Sequence, residues 1–187
     1  MTTAKRIVDV GGAALGLLLA APLLAVLALL LRREGGRVLF RQRRVGLGGR
    51  PFVLLKLRTV PEGGGTPTAL GGFLRRSSLD ELPQLWNVLV GQMSLVGPRP
   101  LVPEEMPPGA GDRARRQSLR PGLTGLAQVR GRDGLSPARR TACDLEYVAA
   151  RSLLLDLGIL LRTVPVVLAL SGAGLPRVPA AAAPPKI

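Results

Sequence analysis

The chain has 187 residues, 47% of them apolar, and 26 Lys and Arg against 12 Asp and Glu give it a net charge of +14. This length suits one domain, or one domain with a membrane anchor. The absence of His and the single Cys exclude His-based triads, His metal sites and an intramolecular disulfide framework. Aromatic residues at 3% nearly exclude the stacking surfaces that bind single-stranded nucleic acid.

The chain begins with an apolar segment, because residues 11–31 carry no charge. The segment is long enough for a transmembrane helix of about 20 residues. A signal peptide is rejected, since Arg32 and Arg33 close the segment without a cleavage motif. Basic residues flank both ends, so the positive-inside rule selects no orientation for a straight span. Pro22 favours either a kinked transmembrane helix or a helix that breaks there and returns to the same face.

A strongly basic stretch follows, over residues 32–58. Such density beside a membrane segment indicates attraction to anionic lipid, with nucleic-acid binding as the alternative. Apolar runs at residues 38–40 and 52–55 predict two short strands, and the glycines of residues 46–49 predict a hairpin turn between them. The Gly-rich residues 61–67 predict a mobile loop at the border of a substrate entrance.

Asp80 and Glu81 form an adjacent carboxylate pair between apolar residues. One interpretation is structural, since Ser78 with Glu81 three residues later is the pattern of a capping box. That pattern leaves Asp80 without a role. Neighbouring carboxylates close to Arg75 suit a Mg²⁺ ion that also binds phosphate, or a carboxylate nucleophile that attacks phosphorus.

Two later segments suit the binding of anions. Arg99 stands between Pro98 and Pro100, a stiff setting from which a guanidinium can bind phosphate or carboxylate with two hydrogen bonds. The structural alternative is a surface turn with an incidental arginine. Residues 120–132 combine glycines with arginines and predict a second anion-binding loop.

Residues 152–170 are apolar but contain Asp156, Arg162 and Pro165. A full membrane span would bury two charges, at about 2.5–3.5 kcal/mol each. The pattern therefore predicts an amphipathic helix at the membrane interface with a second short piece after Pro165, the alternative being a core helix of a soluble fold.

In these motifs the chain resembles the bacterial sugar transferases, monotopic phosphoglycosyl transferases that act on polyprenyl phosphate. The ordered set of motifs covers nearly the whole chain and is far more specific than any single piece. The chain departs from the family pattern in its short Gly-rich loop after Thr59. The matching pieces are residues 5–9, Pro22, 40–46, 56–59, 74–76, 78–85, 87–89, 93–100, 120–129, 131–132, Asp144, 147–148, 152–153 and 155–156.

The resemblance implies a mixed, helix-rich α/β fold with a small β-hairpin and interfacial amphipathic helices. Residues 1–33 would form a re-entrant membrane helix broken at Pro22, residues 34–170 a compact cytoplasmic catalytic domain, and residues 171–187 a disordered tail. The protein would sit in one leaflet of the bacterial plasma membrane, at its cytoplasmic face.

The activity implied by the resemblance is transfer of a sugar 1-phosphate from a UDP-sugar to polyprenyl phosphate, with release of UMP. Asp80 matches the family's nucleophile, and Glu81 matches the carboxylate linked to a Mg²⁺ cofactor, which both residues would bind. Phosphate or nucleotide binding is implied for Lys56, Arg58, Arg75, Arg99, Arg120 and Gln128. Asp144 and Asp156 match further acidic positions of the family.

The implied partners are the UDP-sugar, polyprenyl phosphate, anionic lipid and a second copy in a homodimer, with no nucleic acid. Two alternatives stand beside this interpretation. One is a catalytically inactive, membrane-anchored scaffold of the same fold, which the presence of Asp80, Glu81 and Arg99 disfavours. The other is a basic nucleic-acid-binding protein, which the apolar segment and the scarcity of aromatic residues disfavour.

Overall fold

The computed structural model describes residues 2–131 and 134–171. The fold is mixed, helix-rich α/β, as predicted, with two small two-stranded sheets among the described residues. Short 3₁₀ turns lie at Leu47–Gly49, Leu79–Glu81 and Pro103–Glu105. The predicted disordered tail lies outside the described residues from residue 172 onward. The helices and strands are, in chain order, α1 (Thr3–Arg33), β1 (Leu39–Val45), β2 (Pro51–Leu57), α2 (Ala69–Ser77), α3 (Gln84–Leu89), β3 (Ser94–Val96), α4 (Ala110–Gln117), β4 (Gly122–Thr124), α5 (Leu126–Arg130), α6 (Pro137–Ala150) and α7 (Leu153–Ser171).

Helix α1 is a single helix that runs through Pro22. The helix boundary predicted at this proline is therefore not observed. Both halves of α1 pack on the rest of the protein, through Ala13 before the proline and through Leu27 and Leu31 after it. These contacts, together with Leu- and Ala-rich flanks that favour helix, maintain α1 despite the hydrogen bond that Pro22 removes.

The other face of α1 is apolar and exposed. Leu18 and Leu19 are 72% and 71% exposed, and only 11% of the most apolar window of the helix is buried. Among the described residues, α1 is the one helix long and apolar enough to cross a membrane, a test that signal sequences also pass. A helix in the core of a soluble fold buries most of such a surface, so this face suits lipid.

Strands β1 and β2 form the predicted hairpin and are longer than the apolar runs that indicated them. They pair antiparallel, with Phe40 opposite Lys56 and Arg44 opposite Phe52. Because side chains alternate along a strand, Arg44 and Lys56 share the face of the hairpin that carries the buried Phe52. The hairpin therefore turns two cations towards the domain.

Strands β3 and β4 pair in parallel, and glycines allow their ends to approach closely. A Cβ atom on Gly122 would lie 2.1 Å from the Gly97 nitrogen, and one on Gly125 would lie 2.2 Å from the Gly97 oxygen. No other residue fits at such contacts. The glycines thereby bring the segment containing Arg99 beside the segment that begins at Arg120, the two segments predicted to bind anions.

Helix α7 is continuous through Pro165, so the break predicted there is not observed. The helix also buries a charged residue and exposes apolar ones, whereas an ordinary surface helix does the opposite. Asp156 is buried against the protein, whereas Leu154 is 82% exposed and Leu157 and Leu161 are also exposed. Spacings of three and four residues place these leucines on one face of the helix. The outward face of α7 is therefore apolar.

The side chain of Asn87 on α3 forms hydrogen bonds with backbone groups on the edge of β2 that is not paired with β1. Its Nδ2 atom donates to the Val53 carbonyl (2.8 Å) and its Oδ1 atom accepts from the Leu55 N–H (3.1 Å). The side-chain amide thus replaces the neighbouring strand that this edge lacks. Because α3 follows the carboxylate pair and β2 carries Lys56, Asn87 fixes the distance between these groups.

We expect Asn87→Ala to lower the free energy of unfolding by about 2–3 kcal/mol, since buried backbone groups of β2 lose their partners. Urea unfolding in detergent, followed by the fluorescence of the single tryptophan, Trp86, measures the change. The control is Gln92→Ala, which removes only an exposed acceptor of an Asn87 hydrogen bond. Equal losses in the two variants would contradict the role assigned to Asn87.

Candidate active site

The carboxylate pair lies in the 3₁₀ turn Leu79–Glu81, directly after helix α2. Ser78 ends α2 in the left-handed conformation (φ 58°), which reverses the chain just before Asp80. Ser78 makes no side-chain cap to the turn, so the capping-box interpretation is wrong. Left-handed non-glycine residues are uncommon and cluster at functional sites. Glu81 is consequently free of a capping role and turns to Lys56.

Lys56 on β2 links the two carboxylates. Its Nζ atom lies 2.7 Å from Glu81 Oε1 and 3.6 Å from Asp80 Oδ2. Burial raises the pKa of Asp80, the Lys56 ammonium lowers it in part, and the Glu81 carboxylate raises it further. The Asp80 carboxylate is therefore poorly solvated, and its ionised form is stabilised mainly by the Lys56 ammonium group.

A shallow cleft, open to solvent, lies beside these groups. Its lining carries three cations, Arg44, Lys56 and Arg99, with Glu81 as the carboxylate. Three cations against one lining carboxylate leave a surplus of positive charge, which suits an anion such as a diphosphate. The other lining residues are Leu54, Gln84, Pro100, Gly122, Leu123 and Gln128.

Two polar atoms of cleft residues have no hydrogen-bond partner within the described parts of the chain. They are Arg44 Nε and Gln128 Oε1, and both are buried. A buried polar atom left unpaired costs free energy, and such atoms are rare in folded proteins. Arg44 therefore has a donor left for an anion, whereas Gln128 has an acceptor left for a hydroxyl or N–H group. Gln128, which the sequence predicts to bind phosphate or nucleotide, lines this cleft.

The backbone around Arg99 is fixed by four hydrogen bonds, one at each carbonyl from residue 98 to residue 101. The Pro98 carbonyl accepts from the Gly122 N–H (2.8 Å), and the Leu101 carbonyl accepts from the Val45 N–H (2.9 Å). Between them, Arg44 donates to the Pro100 carbonyl at 3.2 Å, and Arg116 donates to the Arg99 carbonyl. A segment without regular secondary structure is thereby fixed, so Arg99 is not an incidental arginine in a surface turn.

The other predicted phosphate-binding residues divide into two groups. Arg75 lies close enough to Asp80 to lower its pKa, and its Nε atom donates to Thr59 Oγ1 (2.7 Å). Arg58 is buried and donates to the Leu31 carbonyl at the end of α1 (2.9 Å). Arg120 donates to the Gly91 carbonyl (2.6 Å). The structure thus gives Arg58 and Arg120 a part in holding the fold and does not place them in the cleft lining.

The two further acidic residues lie in buried ion pairs. Asp144 pairs with Arg116, at 2.7 Å from its Nε atom and 2.6 Å from Nη2. Asp156 accepts from the Tyr147 hydroxyl (2.7 Å) and pairs with Lys5 Nζ (2.9 Å). Lys5 also pairs with Asp9 (2.9 Å), so this second network joins α1, α6 and α7. Neither acidic residue lines the cleft.

Few side chains of the described residues are suitable ligands for Mg²⁺. No cluster of three or more Asp, Glu, Cys or His side chains that could hold a metal occurs among the described residues. Asp80 and Glu81 remain, and both contact the same ammonium group. Mg²⁺ is commonly bound by one or two carboxylates together with substrate phosphates, so the pair fits an ion that arrives with a diphosphate.

Two cleft residues were missed by reasoning from the sequence, Arg44 and Gln84. The alternation of side chains along β1 contains the signal for Arg44, because it stands four residues after Phe40, the cross-strand partner of Lys56. Gln84 carries no comparable signal. The Gly-rich loop predicted to border the entrance contacts the segment between α1 and β1, where Glu62 accepts from the Arg37 N–H (2.8 Å).

Comparison with known proteins gives a consistent result. Residues 1–170 match the family described as bacterial sugar transferase. A Caulobacter vibrioides protein named UDP-glucose:undecaprenyl-phosphate glucose-1-phosphate transferase is 46% identical, over 88% of this chain and 69% of that protein. The exopolysaccharide production protein ExoY of Rhizobium meliloti is 40% identical, over 88% of this chain and 85% of its own length. A UDP-galactose-lipid carrier transferase of Erwinia amylovora is 39% identical, over 90% of this chain and 41% of its own length.

Proposed function

The chain belongs to the bacterial sugar transferase family, and we propose from this membership and from the cleft that it transfers a hexose 1-phosphate from a UDP-hexose to polyprenyl phosphate. The products are UMP and a polyprenyl-diphosphate sugar, in the first membrane step of exopolysaccharide or glycoconjugate synthesis. The relatives named for glucose 1-phosphate transfer and for exopolysaccharide production support this reaction. The observation that carries it is the Lys56-linked carboxylate pair beside a cation-lined cleft.

Transfer proceeds in two displacements at the same phosphorus. An Asp80 carboxylate oxygen attacks the phosphorus that bears the sugar, and the bond from this phosphorus to the bridging oxygen breaks, so UMP leaves with that oxygen. A phosphosugar is then linked to Asp80 as an acyl phosphate. An oxygen of polyprenyl phosphate attacks the same phosphorus, and the Asp80 carboxylate leaves unchanged.

Residues around the cleft supply the charge that phosphoryl transfer requires. Such reactions depend mainly on alignment and on neutralisation of the phosphate oxygens. Arg99 and Arg44 would bind the diphosphate, and Lys56 would keep Asp80 ionised. Asp80 and Glu81 would hold Mg²⁺, whose chemistry here is to neutralise phosphate charge and orient the leaving UMP.

We also place the protein on the cytoplasmic face of the plasma membrane, within one leaflet. Both ends of α1 are bonded to the same domain: Arg6 donates to the Val88 and Leu89 carbonyls (2.8 and 2.9 Å), and Arg58 donates to the Leu31 carbonyl. A helix crossing perpendicular to the bilayer would carry one end away from a cytoplasmic domain. The exposed apolar faces of α1 and α7 would lie in lipid, with the basic residues near anionic headgroups.

The proposal is tested by UMP release from the detergent-purified protein with Mg²⁺ and a panel of UDP-sugars, beginning with UDP-glucose and UDP-galactose. With polyprenyl phosphate we expect continuous release from at least one donor. Without the acceptor, a covalent route predicts release of about one equivalent of UMP and then a stop, because Asp80 stays occupied.

Two other results would change this assignment. Continuous release that requires the acceptor from the first turnover would contradict the covalent step and favour direct attack by the lipid phosphate. No release from any donor by folded protein in a bilayer would contradict the reaction itself and favour the inactive scaffold.

A further inference from the structure

Arg116 on α4 and Asp144 on α6 form a buried ion pair outside the cleft. Their residues are 6% and 2% exposed. The guanidinium uses both Nε and Nη2 towards Asp144 Oδ2. From the same Nη2 it also donates to the Arg99 main-chain carbonyl. A single side chain thus connects two helices to the backbone of the residue that reaches into the cleft.

Stability alone explains this pair poorly. Charges removed from water are costly, and a buried ion pair is often no more stabilising than apolar residues of the same volume. Burial raises the pKa of Asp144 even beside the Arg116 guanidinium, so keeping this carboxylate charged inside the protein is costly. What the pair provides is a guanidinium fixed in direction. Only arginine has the planar fork that can bind a carboxylate and a third acceptor together.

The third acceptor of the Arg116 guanidinium is the main-chain carbonyl of Arg99 itself. The neighbouring carbonyls of Pro98 and Leu101 are bonded by backbone N–H groups, and that of Pro100 by Arg44, itself a cleft residue. Arg99 has no such backbone donor at its own carbonyl and depends on Arg116. Loss of this bond would free the peptide between two prolines to rotate, and the Arg99 guanidinium would move with it.

We propose that the Arg116–Asp144 pair is a positioning device that holds Arg99 in the orientation needed to bind the diphosphate of the donor. The inference rests on the proposed function. Arg116 and Asp144 act through Arg99 and have no contact of their own with the reacting phosphorus. Such second-layer support commonly decides the precision of a binding group.

The test is a double-variant cycle on the KM for the UDP-sugar, using Arg116→Lys, Arg99→Ala and the two combined. We expect Arg116→Lys to raise this KM by about tenfold to a hundredfold, with a smaller change in kcat and none in the KM for polyprenyl phosphate. The combined variant is expected to match Arg99→Ala within about threefold, since residues acting as one unit are not additive. Arg115→Lys, at an exposed position of the same helix, is the control.

Independent, additive losses would overturn the proposal, as would an unchanged KM with reduced thermal stability. Asp144→Asn serves as the second variant where Arg116→Lys does not fold, and the same increase in KM is expected. Amide hydrogen exchange at Val45 and Gly122, whose N–H groups donate to the Leu101 and Pro98 carbonyls, gives a readout that needs no turnover. Faster exchange there in Arg116→Lys, at an unchanged melting midpoint, supports the positioning role of the ion pair. This holds even if the wild type releases no UMP, because that result would contradict only the proposed reaction. Unchanged exchange overturns the positioning role.

Discussion

Asp80→Asn is expected to reduce UMP release by at least about 10³-fold, because the amide cannot attack phosphorus. The variant keeps the size of the side chain, so Lys56 and the cleft should keep their places. Release of UMP in the absence of acceptor should disappear as well, together with the acyl-phosphate adduct seen by intact-protein mass spectrometry. An Asp80→Asn protein that retains a tenth of wild-type turnover would exclude Asp80 as the nucleophile.

The same variant should be at least as stable as the wild type at pH 7. Burial raises the folded-state pKa of Asp80 above its unfolded value, so the protonated form is favoured by folding and the ionised form is disfavoured. The stability that a protonated Asp80 contributes is lost as the pH rises through the folded-state pKa. A neutral amide avoids this loss, so the difference in melting midpoint should shrink as the pH falls towards the usual aspartate range. Glu104→Gln, at an exposed position, is the control and should show no such trend.

The carboxylate pair could be located from the sequence, but its geometry could not. Adjacent Asp80 and Glu81 were predicted to act on phosphate or metal, and the structure places both beside Lys56. The capping-box pattern was misleading because Ser78 ends α2 in a left-handed conformation and makes no side-chain cap to the short 3₁₀ turn that follows it. The local sequence pattern indicates only which residues can cap a helix. The conformation of this turn depends instead on its contacts with β2, which lies far away in the sequence.

Charged residues were harder to assign than apolar ones for a related reason. Arg58 and Arg75 both follow the pattern of phosphate-binding residues, yet Arg58 is bonded to the end of α1 and Arg75 lies near Asp80. A guanidinium binds a backbone carbonyl and a phosphate with the same donors, so sequence alone does not separate the two. Asp156 shows the same ambiguity, because its half-buried partner, Lys5, is far away in the sequence.

Prolines gave the clearest error about secondary structure. A break at Pro22 was one of two alternatives and the one that the family resemblance implied, and a second piece was predicted after Pro165; both helices continue. An interior proline costs one hydrogen bond and some strain, about 3 kcal/mol. In α1 this cost is opposed by packing along the domain on both sides of the proline, from Ala13 to Leu31. The free-energy cost of an interior proline can be inferred from the sequence, but the packing contacts that offset it are seen only in the tertiary structure.

Lys56→Gln is expected to lower kcat/KM at pH 7 by about 10²–10³-fold and to move the acid limb of its pH profile upwards. Lys56 is the largest influence that opposes burial in setting the pKa of Asp80. Without the ammonium, burial and the Glu81 carboxylate both raise this pKa, so a smaller fraction of Asp80 is ionised at neutral pH. The deficit should therefore be smaller at pH 9 than at pH 7. The measurement is kcat/KM for UMP release between pH 5 and 9.

Arg41→Gln is the matched control for this variant, since Arg41 lies on the same hairpin but on its exposed face. It removes one positive charge from the domain without touching either carboxylate. If general attraction of the anionic donor were the role of Lys56, both variants would lower kcat/KM equally at every pH and salt would weaken the effect. If Lys56 sets the ionisation of Asp80, only Lys56→Gln shifts the acid limb. An acid limb unchanged in Lys56→Gln would separate this lysine from the nucleophile and leave it only a part in binding the donor.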